Sequence, residues 1–259
     1  MTESHQAAYR GSVFGVPVDA VSSAQAVQLV FDWAQKRESR TVCLCNTDSL
    51  VRSMREDGHA CSLASADLIL PDGAPVAWAA GKVIGRKQPR VPGPDLMWDC
   101  CAMAAEVGAP LFLLGATPMT LDRLSERLRA AFPRIIIAGA LSPPFRPLTA
   151  EEDAAIVDDI NSSGAAFVWV GLGCPKQEAW LRDHRGRVQA VMFGVGAAFD
   201  FHAGTVKRAP AWLRHHGLEW LYRLGQDPRR LARRYLVGNS LFVIAVASRM
   251  ASRRSLSAS

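Results

Sequence analysis

The sequence predicts an α/β protein built on a doubly wound, mostly parallel sheet. Short apolar runs alternate with longer segments whose apolar residues recur at helical spacing. Two of these runs, 167–171 and 191–196, are apolar throughout, as strands are when helices cover both faces of a parallel sheet. Because strands and helices alternate along most of the chain, a Rossmann-like sheet with helices on both faces is the predicted architecture.

The predicted elements follow from apolar periodicity, capping residues and turn residues. In order, they are a loose terminus over residues 1–12, an edge strand over 14–19, a helix from 22 or 23 to 36, a strand over 41–45, a helix over 49–65, a strand over 68–70, a helix over 74–80, a loop over 85–95, a helix over 96–107, a strand over 111–115, a helix opening at 117–118, a strand over 135–139, a helix over 149–163, and strands over 167–171 and 191–196.

The charge of the chain is unevenly distributed. Of a net charge of +6, residues 208–259 carry ten arginines against only Glu219 and Asp227, so this segment is +8 and the remainder −2. We therefore predict a Rossmann-like α/β domain over residues 13–207 and a basic, helical C-terminal appendage over 208–259. A neutral body with a basic appendage favours a polyanionic partner: phosphates, an anionic membrane or nucleic acid.

The six cysteines indicate no disulfide framework and no metal site. There is no Cys-x-x-Cys, and no set of Cys and His has the spacing of a zinc site. Except for Cys174, they lie in apolar or helical surroundings, so buried, reduced thiols in the cytoplasm are expected. The start of the chain lacks the pattern of a signal peptide, and no apolar run is long enough to span a membrane.

Asp72 is the candidate catalytic residue. It follows the apolar residues Leu68–Leu70 and stands between Pro71 and Gly73, which end the strand and force a turn. Ligands of open α/β sheets bind at the carboxyl ends of the strands, where a shielded carboxylate can accept a proton. The alternative is a turn aspartate that hydrogen-bonds its own backbone.

Two glycine-rich turns follow the last two predicted strands. Gly171 and Gly173 would let a ligand approach the backbone, and Pro175 at the first helical position would open an anion site with donors from Lys176 and Gln177. The pattern is neither a Walker loop nor a dinucleotide fingerprint, and a tight strand-to-helix turn is the alternative.

The second turn contains Gly194 and Gly196, and its Asp200 could bind hydroxyl groups or pair with Lys207 or Arg208.

Two further candidate positions lie outside the glycine-rich turns. At the end of the first central strand, Asn46 could contact a substrate hydroxyl or simply cap the following helix. The loop over 85–95 is rich in Pro and Gly and carries Arg90 and Asp95; loops of this length are often functional, although a solvated connection is the alternative.

The C-terminal appendage combines arginines with an aromatic and aliphatic face. Arg223, Arg230 and Arg233 recur at helical spacing, which places them on one helix face and suits a diphosphate, unless the face is simply solvated. Residues 236–247 are too short to span a bilayer but fit a segment lying on an anionic leaflet; a terminal helix packed on the body is the competing interpretation. No Asp-x-Asp occurs, so arginines rather than a metal would neutralise a diphosphate leaving group.

Together these segments resemble the WecG/TagA/CpsF family of bacterial glycosyltransferases over about residues 13–245. The blocks that carry the resemblance are 66–73, Arg90-Val91 with 93–96, 171–173 with 175–178 and Trp180, 194–196 with 199–201, 207–210, and 219–224 with Pro228, Arg230 and Arg233.

The resemblance implies inverting transfer of a sugar from a UDP donor to a lipid-diphosphate-linked sugar, at the cytoplasmic face of the inner membrane and without a metal cofactor. It implies that Asp72 is the general base, that Asn46 and Gln177 lie at the sugar and nucleotide sites, and that Arg223, Arg230 and Arg233 close over the diphosphate. The family often has Thr where this chain has Leu44, which leaves the donor open among N-acetylmannosamine, its uronic acid, glucose and galactose.

The candidate substrate-binding residues are Asn46, Arg90, Asp95, Gly171, Gly173, Lys176, Gln177, Gly194, Gly196, Asp200, Arg208, Arg223, Arg230 and Arg233. The expected partners are a UDP-sugar, a polyprenyl-diphosphate-linked acceptor and an anionic membrane surface, and a homo-oligomer stays open. Two alternatives remain: a nucleic-acid-binding module that stacks bases on the tryptophans of the appendage, and a non-catalytic nucleotide sensor.

Overall fold

The computed structural model of the chain describes the backbone of residues 9–256 and the side chains of residues 10–248, apart from positions 215, 230 and 233–235. The strands are β1 (Tyr9–Val13), β2 (Val16–Ala20), β3 (Arg40–Cys45), β4 (Leu68–Pro71), β5 (Leu111–Gly115), β6 (Ile137–Leu141), β7 (Phe167–Gly171) and β8 (Val191–Gly194). The helices are α1 (Ser23–Gln35), α2 (Thr47–Ser53), α3 (Asp57–Ala64), α4 (Ala74–Ile84), α5 (Gly93–Val107), α6 (Pro118–Ala131), α7 (Ala150–Ser162), α8 (Lys176–His184), α9 (Ala198–Ala203), α10 (Ala211–His215), α11 (Glu219–Gln226) and α12 (Pro228–Leu256).

Within the described residues, the central sheet has six strands in the order β4-β3-β8-β7-β5-β6. Every neighbouring pair is parallel; Val42 of β3, for example, lies between Leu68 of β4 and Phe193 of β8. The predicted parallel α/β sheet is therefore confirmed. Because all six strands point the same way, their carboxyl ends meet at one edge of the sheet.

Helices cover both faces of the sheet. On β3, Val42 and Leu44 belong to the core formed with α1, α5, α6 and α9, whereas Cys43 and Cys45 belong to the core formed with α2, α3, α4, α7 and α8. Successive strand residues point to opposite faces, which is why both sets are apolar. Each large side chain buried in this way contributes about 1.5–3 kcal/mol, so the two cores fix the strands that carry the site.

The predicted loose terminus is wrong for its last residues. Strand β1 pairs antiparallel with β2 in a separate two-stranded sheet. The connection is Phe14-Gly15, and both residues have positive φ (52° and 86°), as a two-residue hairpin turn requires. Arg10 anchors the hairpin through two hydrogen bonds to Asp19, at 2.7 and 2.9 Å.

Several other predicted elements differ in their bounds. Helix α4 runs to Ile84 rather than 80, α5 begins at Gly93 inside the loop predicted over 85–95, and the strand predicted over 14–19 begins at Val16. The helix predicted over 49–65 is two helices, α2 and α3, because the chain turns after Ser53 and Glu56 takes an extended conformation as the N-cap of α3. The strand predicted over 135–139 begins two residues later as β6, since its pairing with β5 shifts register between Leu111 and Phe112.

The C-terminal appendage is helical, but the predicted common face of its arginines is wrong. Arg223 lies on α11, whereas Arg230 and Arg233 lie on α12, beyond a break at Asp227-Pro228. The break follows from proline, which opens a helix readily but disrupts one from within. Helix α12 packs on the body through buried Phe242, whose ring meets that of Phe14 at 5.7 Å.

The division of the chain into two parts at residue 208 stays a prediction.

No helix among the described residues has both the length and the apolar character that a membrane crossing needs.

Candidate functional site

The candidate site lies at the carboxyl edge of the sheet. Asn46 follows β3, Asp72 follows β4, Gly173 follows β7 and Gly196 follows β8. Since β4, β3, β8 and β7 are consecutive in the sheet, Asp72 and the Gly173 turn are three strand spacings apart, about 14 Å. An extended ligand could therefore lie along this edge between the carboxylate and the glycine-rich turn.

The backbone of Asp72 is held by its neighbours on both sides. Its N–H donates to the carbonyl of Cys45 at 2.8 Å, and the carbonyl of Pro71 accepts from the N–H of Val91 at 2.8 Å. Gly73, with φ of 97°, then turns the chain into α4. The main chain at Asp72 is thus fixed between β3 and the loop that carries Val91.

The environment of Asp72 favours its protonated form. Burial raises the pKa of this carboxyl to about 6, and the nearby negative charge of Glu219 adds to the rise. The positive charges of Arg223, Arg90 and Arg208 oppose it. Asp72 as a residue is half-buried, so it is shielded without being sealed inside the core. A carboxylate whose pKa lies just below neutral pH is well matched to accept a proton from a substrate hydroxyl.

Arg208 stands next to this carboxylate with unused donors. Its Nη1 donates to Asp95 Oδ1 at 2.5 Å, and its Nε lies 3.8 Å from Glu219 Oε1. Nε and Nη2 are both buried, and within the described part of the chain neither has a hydrogen-bond partner. Buried guanidinium donors without partners are costly, so this arrangement points to an anionic ligand.

Asp95 forms ion pairs with two arginines of the appendage, Arg208 and Arg214. Burial alone would raise the pKa of Asp95, but the hydrogen bond from Arg208 and the charges of Arg208, Arg214 and Arg90 bring it below its usual value. Arg214 Nη1 lies 3.6 Å from Asp95 Oδ1. An ionised Asp95 therefore keeps the guanidinium of Arg208 beside Asp72.

Helices α10 and α11 lie beside Asp72, and we call residues 211–226 the cover. Gly217 packs so closely on α4 that an added Cβ would come within 3.1 Å of Ala74 Cβ. Gln226 Nε2 donates to the carbonyl of Lys207 at 2.9 Å, and the guanidinium of Arg223 lies 5.3 Å from the ring centre of Phe201. The cover thus carries Glu219 and Arg223, whose charges act on the Asp72 carboxyl.

The two glycines of the first glycine-rich turn differ in what they do. A Cβ at Gly171 would come within 2.7 Å of the Phe199 ring, so this glycine serves close packing. Gly173 has φ of 79° and no atom within 4 Å of where its Cβ would be, so its backbone is open to a ligand. Lys176 is exposed and begins α8 one residue later than predicted, with Pro175 as the N-cap.

Gln177 connects the two glycine-rich turns. Its amide lies against the second turn, 3.2 Å from a Cβ built on Gly194 and 3.3 Å from one built on Gly196. Its Nε2 donates to Glu178 at 3.1 Å, while its Oε1 is buried and has no hydrogen-bond partner among the described residues. Its carbonyl oxygen is therefore a candidate acceptor for a ligand at the glycine-rich turns.

The remaining predicted residues are placed as follows. Asn46 caps α2, since its Oδ1 accepts from the N–H of Ser49 at 3.1 Å. Asp200 accepts from Thr205 Oγ1 at 3.1 Å, and the predicted partner Arg208 pairs with Asp95 instead. Arg90 is half-buried near Asp72.

The side chains of Arg230 and Arg233 lie outside the described residues, so their predicted contact with a diphosphate stays a prediction. The six cysteines are free, as predicted. Burial was predicted for all but Cys174 and is confirmed for four of those five, because Cys61 is exposed; Cys174 is half-buried.

Sequence reasoning gave no separate role to two residues at the site. Arg214 is a second cation close to Asp95. Among neighbouring charges, that of Glu219 has the largest effect on the pKa of Asp72. Glu219 is one of only two acids in the basic appendage, and that contrast was the available signal.

The comparison with known families identifies the chain independently of this geometry. The model of the glycosyl transferase WecG/TagA/CpsF family matches residues 11–256, which is nearly the whole chain. The match includes the sheet, the Asp72 turn, both glycine-rich turns and the helices that carry the arginines. Members of such a family transfer a sugar from a nucleotide-sugar donor to a glycan acceptor. The chain belongs to the WecG/TagA/CpsF family of glycosyltransferases.

Proposed function

We propose that the protein transfers a sugar from a UDP-sugar to a hydroxyl of a polyprenyl-diphosphate-linked saccharide, with inversion at the anomeric carbon. Asp72 is the general base of this proposal. The observation that carries it is the shielded Asp72 carboxyl, with a pKa of about 6, among Arg90, Arg208 and Arg223 at the carboxyl edge of the sheet. Such an enzyme would act in the synthesis of a cell-surface polysaccharide.

The proposed reaction is a direct displacement. Asp72 accepts the proton of the acceptor hydroxyl while the hydroxyl oxygen forms a bond to the anomeric carbon. The bond from that carbon to the UDP oxygen breaks on the opposite face, and its electron pair leaves with UDP. An α-linked donor therefore gives a β-linked product. A positioned general base accelerates such a step by roughly 10²–10⁴.

The leaving diphosphate needs positive charge, and arginines can supply it without a metal. Arg208 has two buried donor atoms without hydrogen-bond partners among the residues that the structure describes, and the charges of Arg90 and Arg223 also act at Asp72. Guanidinium groups bind phosphate oxygens by charge-assisted, often bidentate, hydrogen bonds. Arg230 and Arg233, on the adjoining helix, are proposed to complete this set.

The nucleotide end of the donor would lie at the glycine-rich turns. The open backbone at Gly173 and the free Oε1 of Gln177 support this placement. The N–H groups at the start of α8, with Lys176 beside them, favour an anionic or strongly polar ligand there. Asn46, Asp200, Gly194 and Gly196 remain candidates for contacts to the sugar.

We further propose that α12 rests on an anionic membrane at the cytoplasmic face of the inner membrane. Leu236, Val243 and Ile244 are each at least 60% exposed, although Phe242 between them is buried. Exposed apolar residues flanked by arginines are typical of a segment at a lipid surface, where each arginine contributes about 1 kcal/mol. A peripheral enzyme held there would meet an acceptor that is itself anchored in lipid.

The test is a panel of UDP-sugars with one synthetic lipid-diphosphate sugar, read by mass spectrometry. The proposal predicts one product heavier than the acceptor by a single sugar residue, with release of UDP. The absence of product with every donor would reject it and favour a non-catalytic nucleotide-binding protein. Binding of oligonucleotides that weakens steeply with salt would instead favour the nucleic-acid alternative.

A further inference from the structure

A second cluster of chemically reactive side chains lies where α3 packs against the start of α8. It consists of His59 on α3, Cys174 in the turn before α8, and Glu178 in the first turn of α8. One ligand atom from each residue lies within 4.8 Å of the others. No local sequence pattern reveals this group, because its members come from two parts of the chain that are far apart in sequence.

Three polar atoms of the cluster have no hydrogen-bond partner within the described part of the chain. They are the two ring nitrogens of His59 and Oε2 of Glu178, whereas Glu178 Oε1 accepts from Gln177 Nε2 at 3.1 Å. His59 is 5% exposed and Glu178 1% exposed. The carbonyl of Ser49 lies near the His59 ring, but not in hydrogen-bond geometry. Buried polar groups are nearly always satisfied, so these atoms point to a ligand.

We propose that His59, Cys174 and Glu178 bind one divalent cation of the zinc class. Imidazole, thiolate and carboxylate are the ligands that Zn²⁺ takes in proteins, and three protein ligands leave one position for water or another oxygen. The Oγ of Ser49, 4.0 Å from the Cys174 sulfur, is an oxygen close at hand. One thiolate, one carboxylate and one neutral imidazole would balance the charge of the ion.

The geometry requires only a small adjustment. Donor atoms of a tetrahedral zinc site lie about 3.3–3.8 Å apart, given ligand distances of about 2.0–2.3 Å. Side-chain rotation could bring atoms within 4.8 Å of one another to that spacing. The positive charge of Arg52 lies nearby, but its Nη1 is paired with Glu56 at 2.8 Å, which limits its repulsion of a cation.

The proposed ion would stabilise α8 rather than take part in the transfer. It would join α3 to the start of α8, and Gln177, next to Glu178, lies against Gly194 and Gly196 of the crevice. The proposed ion would thus adjoin the first glycine-rich turn, which contains Cys174, whereas no metal is proposed for the diphosphate itself.

The test uses the full chain, stripped of metal by a chelator and then titrated with Co²⁺ and Zn²⁺. The proposal predicts one tightly bound equivalent and, with Co²⁺, a thiolate-to-metal charge-transfer band in the near ultraviolet. Cys174→Ser should abolish that band, whereas Cys61→Ser, which alters an exposed cysteine on the same helix as His59, should keep it. His59→Gln should weaken Zn²⁺ binding at least about tenfold, as expected for loss of one ligand.

Zn²⁺ should also raise the melting temperature of the wild-type protein and of Cys61→Ser, but not of Cys174→Ser. Binding of no stoichiometric metal by the wild-type protein would overturn the proposal, and so would a charge-transfer band that survives in Cys174→Ser. Since metal content and the cobalt spectrum do not depend on turnover, they test this site independently of the proposed reaction.

Discussion

Replacing Asp72 by Asn should make the protein more stable and far less active. Asp72 has a pKa raised from 3.8 to about 6, mainly by burial. A shift of about two units corresponds to at most about 3 kcal/mol of unfavourable free energy for the ionised form, less screening by solvent at its exposed part. Asn removes the charge at nearly constant shape, so a gain of about 1–3 kcal/mol is expected at pH 7.

The sign of this effect depends on pH. The folded state binds the proton of Asp72 more tightly than the unfolded state does. The loss of folding stability caused by the buried, ionised carboxylate is therefore absent below about pH 3.8 and complete above about pH 6. Urea unfolding at pH 7 should therefore show the gain for Asp72→Asn, and unfolding near pH 3.5 should show almost none. Asp158→Asn, the same change at an exposed position of α7, is the control and should alter neither value.

Turnover of Asp72→Asn should fall by roughly 10²–10⁴, the usual worth of a general base. UDP affinity, measured by calorimetry, should stay the same or improve, because the change removes a negative charge. A variant that retains wild-type turnover would refute the role of Asp72 as a base. A variant that is no more stable at pH 7 would refute the argument that burial raises its pKa.

Three further predictions test other parts of the proposal. Arg208→Lys should keep an ion pair with Asp95 but lose the free guanidinium donors, raising the KM for UDP-sugar about 10–100-fold, whereas Arg146→Ala on the surface should not. The rate of sugar transfer in excess EDTA should equal the rate with added Mg²⁺ or Mn²⁺. The same should hold for Cys174→Ser, which lacks a ligand of the proposed cation site. Loss of activity in EDTA in that variant would contradict the proposal that arginines alone stabilise the leaving diphosphate. Replacing Val243 and Ile244 by Glu should reduce co-sedimentation with anionic liposomes, whereas Phe145→Glu, at another exposed apolar position, should leave it unchanged.

The sheet could be predicted from sequence because its strands are buried on both faces. Runs such as Phe167–Gly171 are apolar throughout, and that pattern does not depend on neighbouring residues. Edge elements were less predictable. The bounds of β6 depend on a register shift opposite Leu111, and the hairpin depends on a two-residue turn at Phe14-Gly15 that the apolar pattern does not emphasise.

At the candidate site, the position of Asp72 could be predicted, but its electrostatic surroundings could not. A carboxylate after a short apolar strand falls at the carboxyl edge of a parallel sheet by geometry alone. The pair between Asp95 and Arg208 joins distant parts of the chain, so no local pattern encodes it. The split between α11 and α12 was signalled by Pro228, yet the spacing of the arginines alone suggested one continuous helix.

The pH dependence of kcat/KM tests most directly whether Asp72 accepts the proton. The account predicts a rate that falls tenfold per unit below an apparent pKa of about 6 and levels off above it, with Asp158→Asn giving the same profile. In Asp72→Asn, the remaining rate should no longer show that inflection. An inflection near pH 6 that persists in Asp72→Asn would show that another group accepts the proton.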